Sequence, residues 1–88
     1  MFYVYVLKSK KDKKLYTGST NNLQERLTRH NKGLVGVTRN RRPLELIYFE
    51  ASISRKDSMR REIYLKTAWG KRYIKNRLRE YLKSRDSL

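Results

Sequence analysis

The run Phe2-Tyr3-Val4-Tyr5-Val6-Leu7 constrains the fold more than any other stretch of the chain. Aromatic, β-branched or large apolar side chains occupy both parities, so a strand here has two apolar faces. Both must be covered, as happens to a strand at the centre of a sheet. With 88 residues, the chain is expected to form one domain spanning 1–88. A domain of that size buries only about 60–65% of its unfolded surface, so the core is small.

The rest of the order follows from local chemistry. Lys8 to Lys14 reads as a charged turn around Asp12, and Leu15 to Ser19 as a second strand, giving an antiparallel hairpin. Asn22 and Glu25 form a capping pattern, with Asn as the cap and Glu reaching back, for a helix that runs to about Lys32 and stops at Gly33. Residues 34–43 form a basic loop closed by Pro43, and Leu44 to Phe49 a third strand. Ser54 and Asp57 open a helix to about Ala68, Gly70 breaks it, and a last helix runs from about Lys71 to Lys83, with Ile74, Leu78, Tyr81 and Leu82 on one side. The expected class is α+β: a three-stranded antiparallel sheet flanked by helices, in the order β-β-α-β-α-α.

Charge narrows the partner. Lys and Arg number 23 against 8 Asp and Glu, a net charge of +15. The excess is even along the chain, +7 over residues 1–54 and +8 over 55–88. A polyanion is the expected partner, because neutralising phosphates releases counterions. A membrane-surface role needs a spare amphipathic face, and none is evident. The apolar N-terminal run is only seven residues long with no basic segment before it, unlike a signal peptide or a span, so a cytoplasmic protein is expected. Zero cysteines and one histidine exclude a zinc enzyme, and four glycines supply no Walker-type loop.

Certain polar residues fall where the helical pattern wants apolar ones. In the first helix Leu23, Leu27 and Leu34 define the buried stripe, and Arg26 and His30, four apart, sit on its edge. In the second, Met59, Ile63, Leu65 and Trp69 set the buried side, with Glu62 and Lys66 between them. A carboxylate there costs free energy unless it is paired or binds a cation. Each feature alone has an ordinary explanation: a helix salt bridge for Glu62 and Lys66, a snorkelling Arg26, a hydrogen-bonded His30, packing tyrosines. The combination is what points to chemistry.

These residues resemble the GIY-YIG nuclease superfamily. Tyr3-Val4-Tyr5 stands for its first motif, Tyr16-Thr17-Gly18 for its second, and Asn22-Leu23 with Arg26 and His30 for its helix motif, followed by Glu62. The likeness covers almost the whole chain and is greatest to small standalone members, and to the nuclease module at the N-terminus of an excision-repair endonuclease subunit. Tyr3 replaces the motif's first Gly and Thr17 an Ile, both strand positions. The resemblance implies a metal-dependent endonuclease acting on nucleic acid, with DNA favoured over RNA and no small-molecule cofactor; low sequence specificity is expected because one small domain makes few base contacts. It implies that Tyr5 activates water, Tyr16 positions water or phosphate, and Arg26 stabilises phosphoryl charge. His30 would assist the tyrosine and Glu62 would hold one Mg²⁺ or Mn²⁺, with Asn76 and Lys14 in supporting positions.

Tyrosine is a weak base at its usual pKa of about 10. A cationic field from Lys14, Arg26 or His30 is expected to lower it, so that activity rises with pH through neutrality. Substrate grip is expected from Arg39, Arg41 and Arg42 in the loop and from Lys71, Lys75 and Arg79 on the last helix. The rival is a non-catalytic DNA- or RNA-binding module. Gly33-Leu34-Val35-Gly36 resembles the GxxG loop of KH domains, but the preceding hairpin does not fit that topology. Oligomeric state is not legible.

Overall fold

The computed structural model describes residues 1–86, with side chains through Ser84. Three strands, β1 (Phe2–Ser9), β2 (Leu15–Thr20) and β3 (Leu44–Ser52), form an antiparallel sheet ordered β2-β1-β3. The helices are α1 (Leu23–Asn31), α2 (Arg55–Leu65), α3 (Ala68–Arg77) and α4 (Arg79–Asp86), and a 3₁₀ turn covers Arg39–Arg41. The architecture is α+β, as the patterning indicates.

β1 is the central strand, and its two parities feed two cores. Val4 and Val6 pack with Leu65 and Ile74 under α2 and α3. Tyr5, Leu7 and Leu44 pack on the other face with Leu23 and Leu27 of α1. Val4, Val6 and Leu7 are each at most 2% exposed. Complete burial of such a side chain stabilises the fold by roughly 1.5–3 kcal/mol, so β1 anchors both layers at once.

The first helix ends as its sequence indicates. Asn22 Oδ1 accepts from the Glu25 backbone N–H at 3.1 Å. Gly33 takes φ 78°, its N–H bonds the His30 carbonyl, and the Leu34 N–H bonds that of Arg29. This paired closure requires a left-handed residue and suits glycine. Gly33 therefore serves the helix end and not a GxxG clamp.

The second helix departs from expectation. Met59, Ile63 and Trp69 are 47%, 67% and 67% exposed, and Leu34 after α1 is 56% exposed. The inward stripe of α2 is instead Ser58, Glu62 and Leu65, spaced i, i+4, i+7. The helix turns a serine and a carboxylate toward the sheet, so an apolar-inward rule selects the wrong face.

The break between α2 and α3 falls at Lys66–Thr67 and not at Gly70. Thr67 Oγ1 donates to the Tyr64 carbonyl at 2.6 Å and accepts from the Gly70 N–H at 3.2 Å, ending one helix and capping the next. Gly70 lies inside α3, where a Cβ would overlap the Tyr64 carbonyl oxygen and Leu65 Cα. Glycine there permits close helix approach. The expected last helix is divided at Leu78, between α3 and α4.

Candidate active site

Tyr5 projects from the middle of β1, directly opposite Gly18 of β2. A Cβ on Gly18 would lie 2.5 Å from Tyr5 Oη. The missing side chain is what lets the tyrosine ring lie against β2 with its hydroxyl free for partners on α1. Those partners are Arg26 and His30, one helical turn apart. Arg26 Nε donates to Tyr5 Oη at 3.2 Å, and His30 Nε2 lies 2.8 Å from the same oxygen. The Tyr16 ring closes the group, 6.4 Å from Tyr5 and 5.2 Å from His30 between centroids.

His30 is wholly buried, and its other nitrogen, Nδ1, lies 2.7 Å from Thr38 Oγ1. Thr38 is also fully buried and reaches the Val35 carbonyl at 3.5 Å. The loop after α1 thus seals the imidazole. Its sequence shows an arginine-rich segment and gives no sign of this second task.

Burial and charge set the protonation states. Burial pushes the Tyr5 hydroxyl up, and the Arg26 hydrogen bond and charge offset this only in part. Burial, then the Arg26 charge, pushes His30 down to about 4. The cationic field expected to lower Tyr5 therefore falls short: the imidazole is neutral near pH 7, and desolvation outweighs the guanidinium. The Tyr5 hydrogen bond pushes Arg26 itself upward.

A stability prediction follows. His30 holds its proton less tightly folded than unfolded, so the unfolded chain takes up more protons between pH 6.5 and about 4. Stability is complete above that window and falls as pH drops through it, by on the order of 2 kcal/mol. The chain has one histidine, so urea midpoints at pH 7 and 5 isolate the effect. An unchanged midpoint would show that the folded imidazole accepts a proton freely.

Glu62 reaches the same end of β2 from α2. Its Oε1 accepts from Ser19 Oγ at 2.7 Å, and its Oε2 pairs with Lys66 Nζ at 2.8 Å. Burial pushes this carboxyl up, but the Lys66 and Ser19 hydrogen bonds with the Lys66 and Arg26 charges hold it below the usual range. It is a carboxylate at neutral pH. Among the described residues no group of three or more His, Cys, Asp or Glu side chains could hold a metal. One oriented carboxylate nevertheless fits a Mg²⁺-type ion, which keeps waters and takes one or two carboxylates plus substrate phosphates. Such an ion would compete with Lys66 for Oε2.

The cationic residues separate into two groups. Lys14, Lys71 and Lys75 line one groove between β2 and α3, together with Tyr16, Lys13 and Lys66. Arg79 adjoins a neighbouring hollow that shares Lys13 and Lys75. Arg41 is committed elsewhere: its Nε donates to Asp12 Oδ2 at 2.8 Å and its carbonyl accepts from Ser9 Oγ at 2.6 Å, clamping the hairpin turn to the loop. The Arg41 side chain is 21% exposed in this pairing. Arg42 donates to the Arg39 carbonyl, and both residues are exposed. Asn76 is exposed near the end of α3 and makes no hydrogen bond to Tyr5, Arg26, His30 or Glu62 among the described residues. Ser19 and Thr38 escape sequence reasoning, because their partners lie on other elements.

On the α1 face a buried tyrosine is held between a guanidinium and an imidazole, and the Glu62 carboxylate, brought in by α2, acts on both Tyr5 and Arg26 through its charge. The chain belongs to the GIY-YIG catalytic domain family, which it matches over residues 1–76, and which is a nuclease family. It is 48% identical over 67 residues to a UPF0213 protein of Clostridium perfringens, covering 75% of this chain and 71% of that one. A UPF0213 protein of Staphylococcus haemolyticus is 46% identical over 66 residues, covering 74% and 79%. The solution NMR structure of a UPF0213 protein from Bacillus halodurans superposes with a TM-score of 0.52 at 33% identity, covering 84% of this chain and 82% of that one. Among the described residues no helix is long and apolar enough to cross a membrane.

Proposed function

We propose that this chain is a divalent-metal-dependent endonuclease that hydrolyses phosphodiester bonds in nucleic acid, DNA in preference to RNA, with low sequence specificity. The observation that carries the reading is the Tyr5 hydroxyl, held 3.2 Å from Arg26 Nε and 2.8 Å from His30 Nε2. Packing alone does not require a buried phenol to have two such partners.

The protonation states favour a relay over a free phenolate. With the imidazole proton on Nδ1, directed at Thr38, the bare Nε2 accepts from the Tyr5 hydroxyl. Tyr5 Oη then takes a proton from the attacking water while its own passes to His30. The water oxygen bonds to phosphorus and the bond to the leaving oxygen breaks; that oxygen takes a proton from solvent, and His30 returns its extra proton to solvent by way of Tyr5. Arg26 places a planar cation beside the phosphoryl group, and Tyr16 borders the same space. Mg²⁺ or Mn²⁺ at Glu62 would neutralise charge on the phosphoryl and leaving oxygens. Lys14, Lys66, Lys71 and Lys75 are suited to the flanking phosphates.

End-labelled single-stranded DNA, duplex DNA and RNA, incubated with Mg²⁺, Mn²⁺ or EDTA, test the reading. Internal cuts that need the metal are expected, with DNA cut faster. Cutting unaffected by EDTA would refute the metal dependence. The relay also replaces the expected rise with pH. It needs a neutral imidazole and a protonated tyrosine, so single-turnover rates are expected to be flat between about pH 6 and 9. A tenfold rise per pH unit there would return the role to an ionised Tyr5.

A further inference from the structure

Glu62 and Ser19 also border a second cleft, whose other lining residues the proposed chemistry leaves without a task. Its volume is about 470 Å³, ordinary for a small-molecule site. Ser19 and Asn21 border it from the β2 end, Ser58 and Met59 from α2, with Phe2 and Glu62 also in its lining. Its chemistry differs from that of the lysine groove. Arg55 is its one cation, and Phe2 and the 47%-exposed Met59 give it apolar surface.

Ser58 supplies an independent observation. Its hydroxyl is the one buried side-chain polar atom among the described residues without a hydrogen-bond partner, on a residue 2% exposed. A helical serine ordinarily bonds back to the preceding turn or faces water. An unmet buried hydroxyl is costly, and a native structure seldom keeps one without a use. Ser58 is also part of the cleft's lining, so a molecule seated there is the nearest source of the missing partner.

A phosphate has little reason to choose this cleft over five lysines a few residues away. A nucleobase suits it better: flat apolar faces for Phe2 and Met59, and a polar edge for Ser58 and Asn21. Glu62 borders the cleft, so such a base belongs to a nucleotide next to the scissile phosphate. We propose that this cleft is a nucleobase subsite, receiving one unpaired base on one flank of the bond to be cut. The proposal rests on the nuclease reading and gives the substrate an unstacked nucleotide beside the scissile linkage.

The test uses a labelled DNA oligonucleotide with one ordinary phosphodiester between phosphorothioates, and abasic versions lacking the base on either flank. Removing the base on one flank is expected to weaken binding in EDTA, and to raise KM, by about tenfold, the scale of one base contact. Met59→Ala and Ser58→Ala are expected to weaken binding of the complete oligonucleotide and leave that of the abasic one unchanged. Met59 is half exposed and Ser58→Ala removes an unsatisfied group, so both variants should fold. Equal binding of complete and abasic oligonucleotides, or a penalty identical in the variants, would overturn the subsite. Binding in EDTA is read whether or not the protein cuts, so failure of the subsite and failure of the nuclease reading are told apart.

Discussion

Glu62→Ala is expected to lower single-turnover cleavage by about 10³-fold, since a catalytic cation's charge stabilisation is worth several kcal/mol. Glu62 is the one carboxylate in the lining of its cleft. The fold should tolerate the change. Glu62 pairs with a Lys66 side chain that is 52% exposed, and such pairs contribute about 1 kcal/mol or less. Titrating Mg²⁺ against the rate, with thermal melts alongside, separates the two effects. A variant within tenfold of the parent at saturating Mg²⁺ would remove Glu62 from the metal.

Arg26→Ala comes next, with an expected loss of about 10²–10³-fold in kcat, typical of deleting one group that stabilises developing charge. The guanidinium donates through Nε to Tyr5 Oη, which leaves the fork's terminal nitrogens for other partners. A lysine has a single ammonium and cannot reproduce both contacts. Arg26→Lys is therefore expected to recover little of the rate. Full activity in Arg26→Lys would show that a point charge suffices.

Where local chemistry decides structure, the sequence is readable. β1 carries apolar residues on both parities and is the central strand. Asn22, Ser54 and Gly33 sit at helix ends for reasons confined to a few neighbouring residues. The α2 face was not readable, because Ser58 and Glu62 occupy inward positions that apolar patterning reserves for Met59 and Ile63. Such violations concentrate at working sites. Arg26 and His30 are recognisable as a pair from helical spacing and family resemblance. Their effect on Tyr5 is not, since it depends on how deeply the hydroxyl is buried. Ser19 meets Glu62 across 43 residues, and Ser9 meets Arg41 across 32. No local pattern encodes those contacts, so the clamp at Arg41 and the orientation of Glu62 needed the fold.

The central claim is that the Tyr5 cluster performs hydrolysis and does not merely pack beneath a binding surface. The direct test is single-turnover cutting of end-labelled DNA in Mg²⁺ by the parent and by Tyr5→Phe, with binding measured in EDTA. The account predicts a loss of about 10²–10⁴-fold in the cutting rate, the range for a proton-transfer group, with binding nearly unchanged and stability lowered by about 1–3 kcal/mol, the cost of leaving buried His30 Nε2 without its partner. Equal cutting by Tyr5→Phe, or tight binding by a parent that cuts under no metal, would contradict it and leave a nucleic-acid-binding module on a nuclease fold.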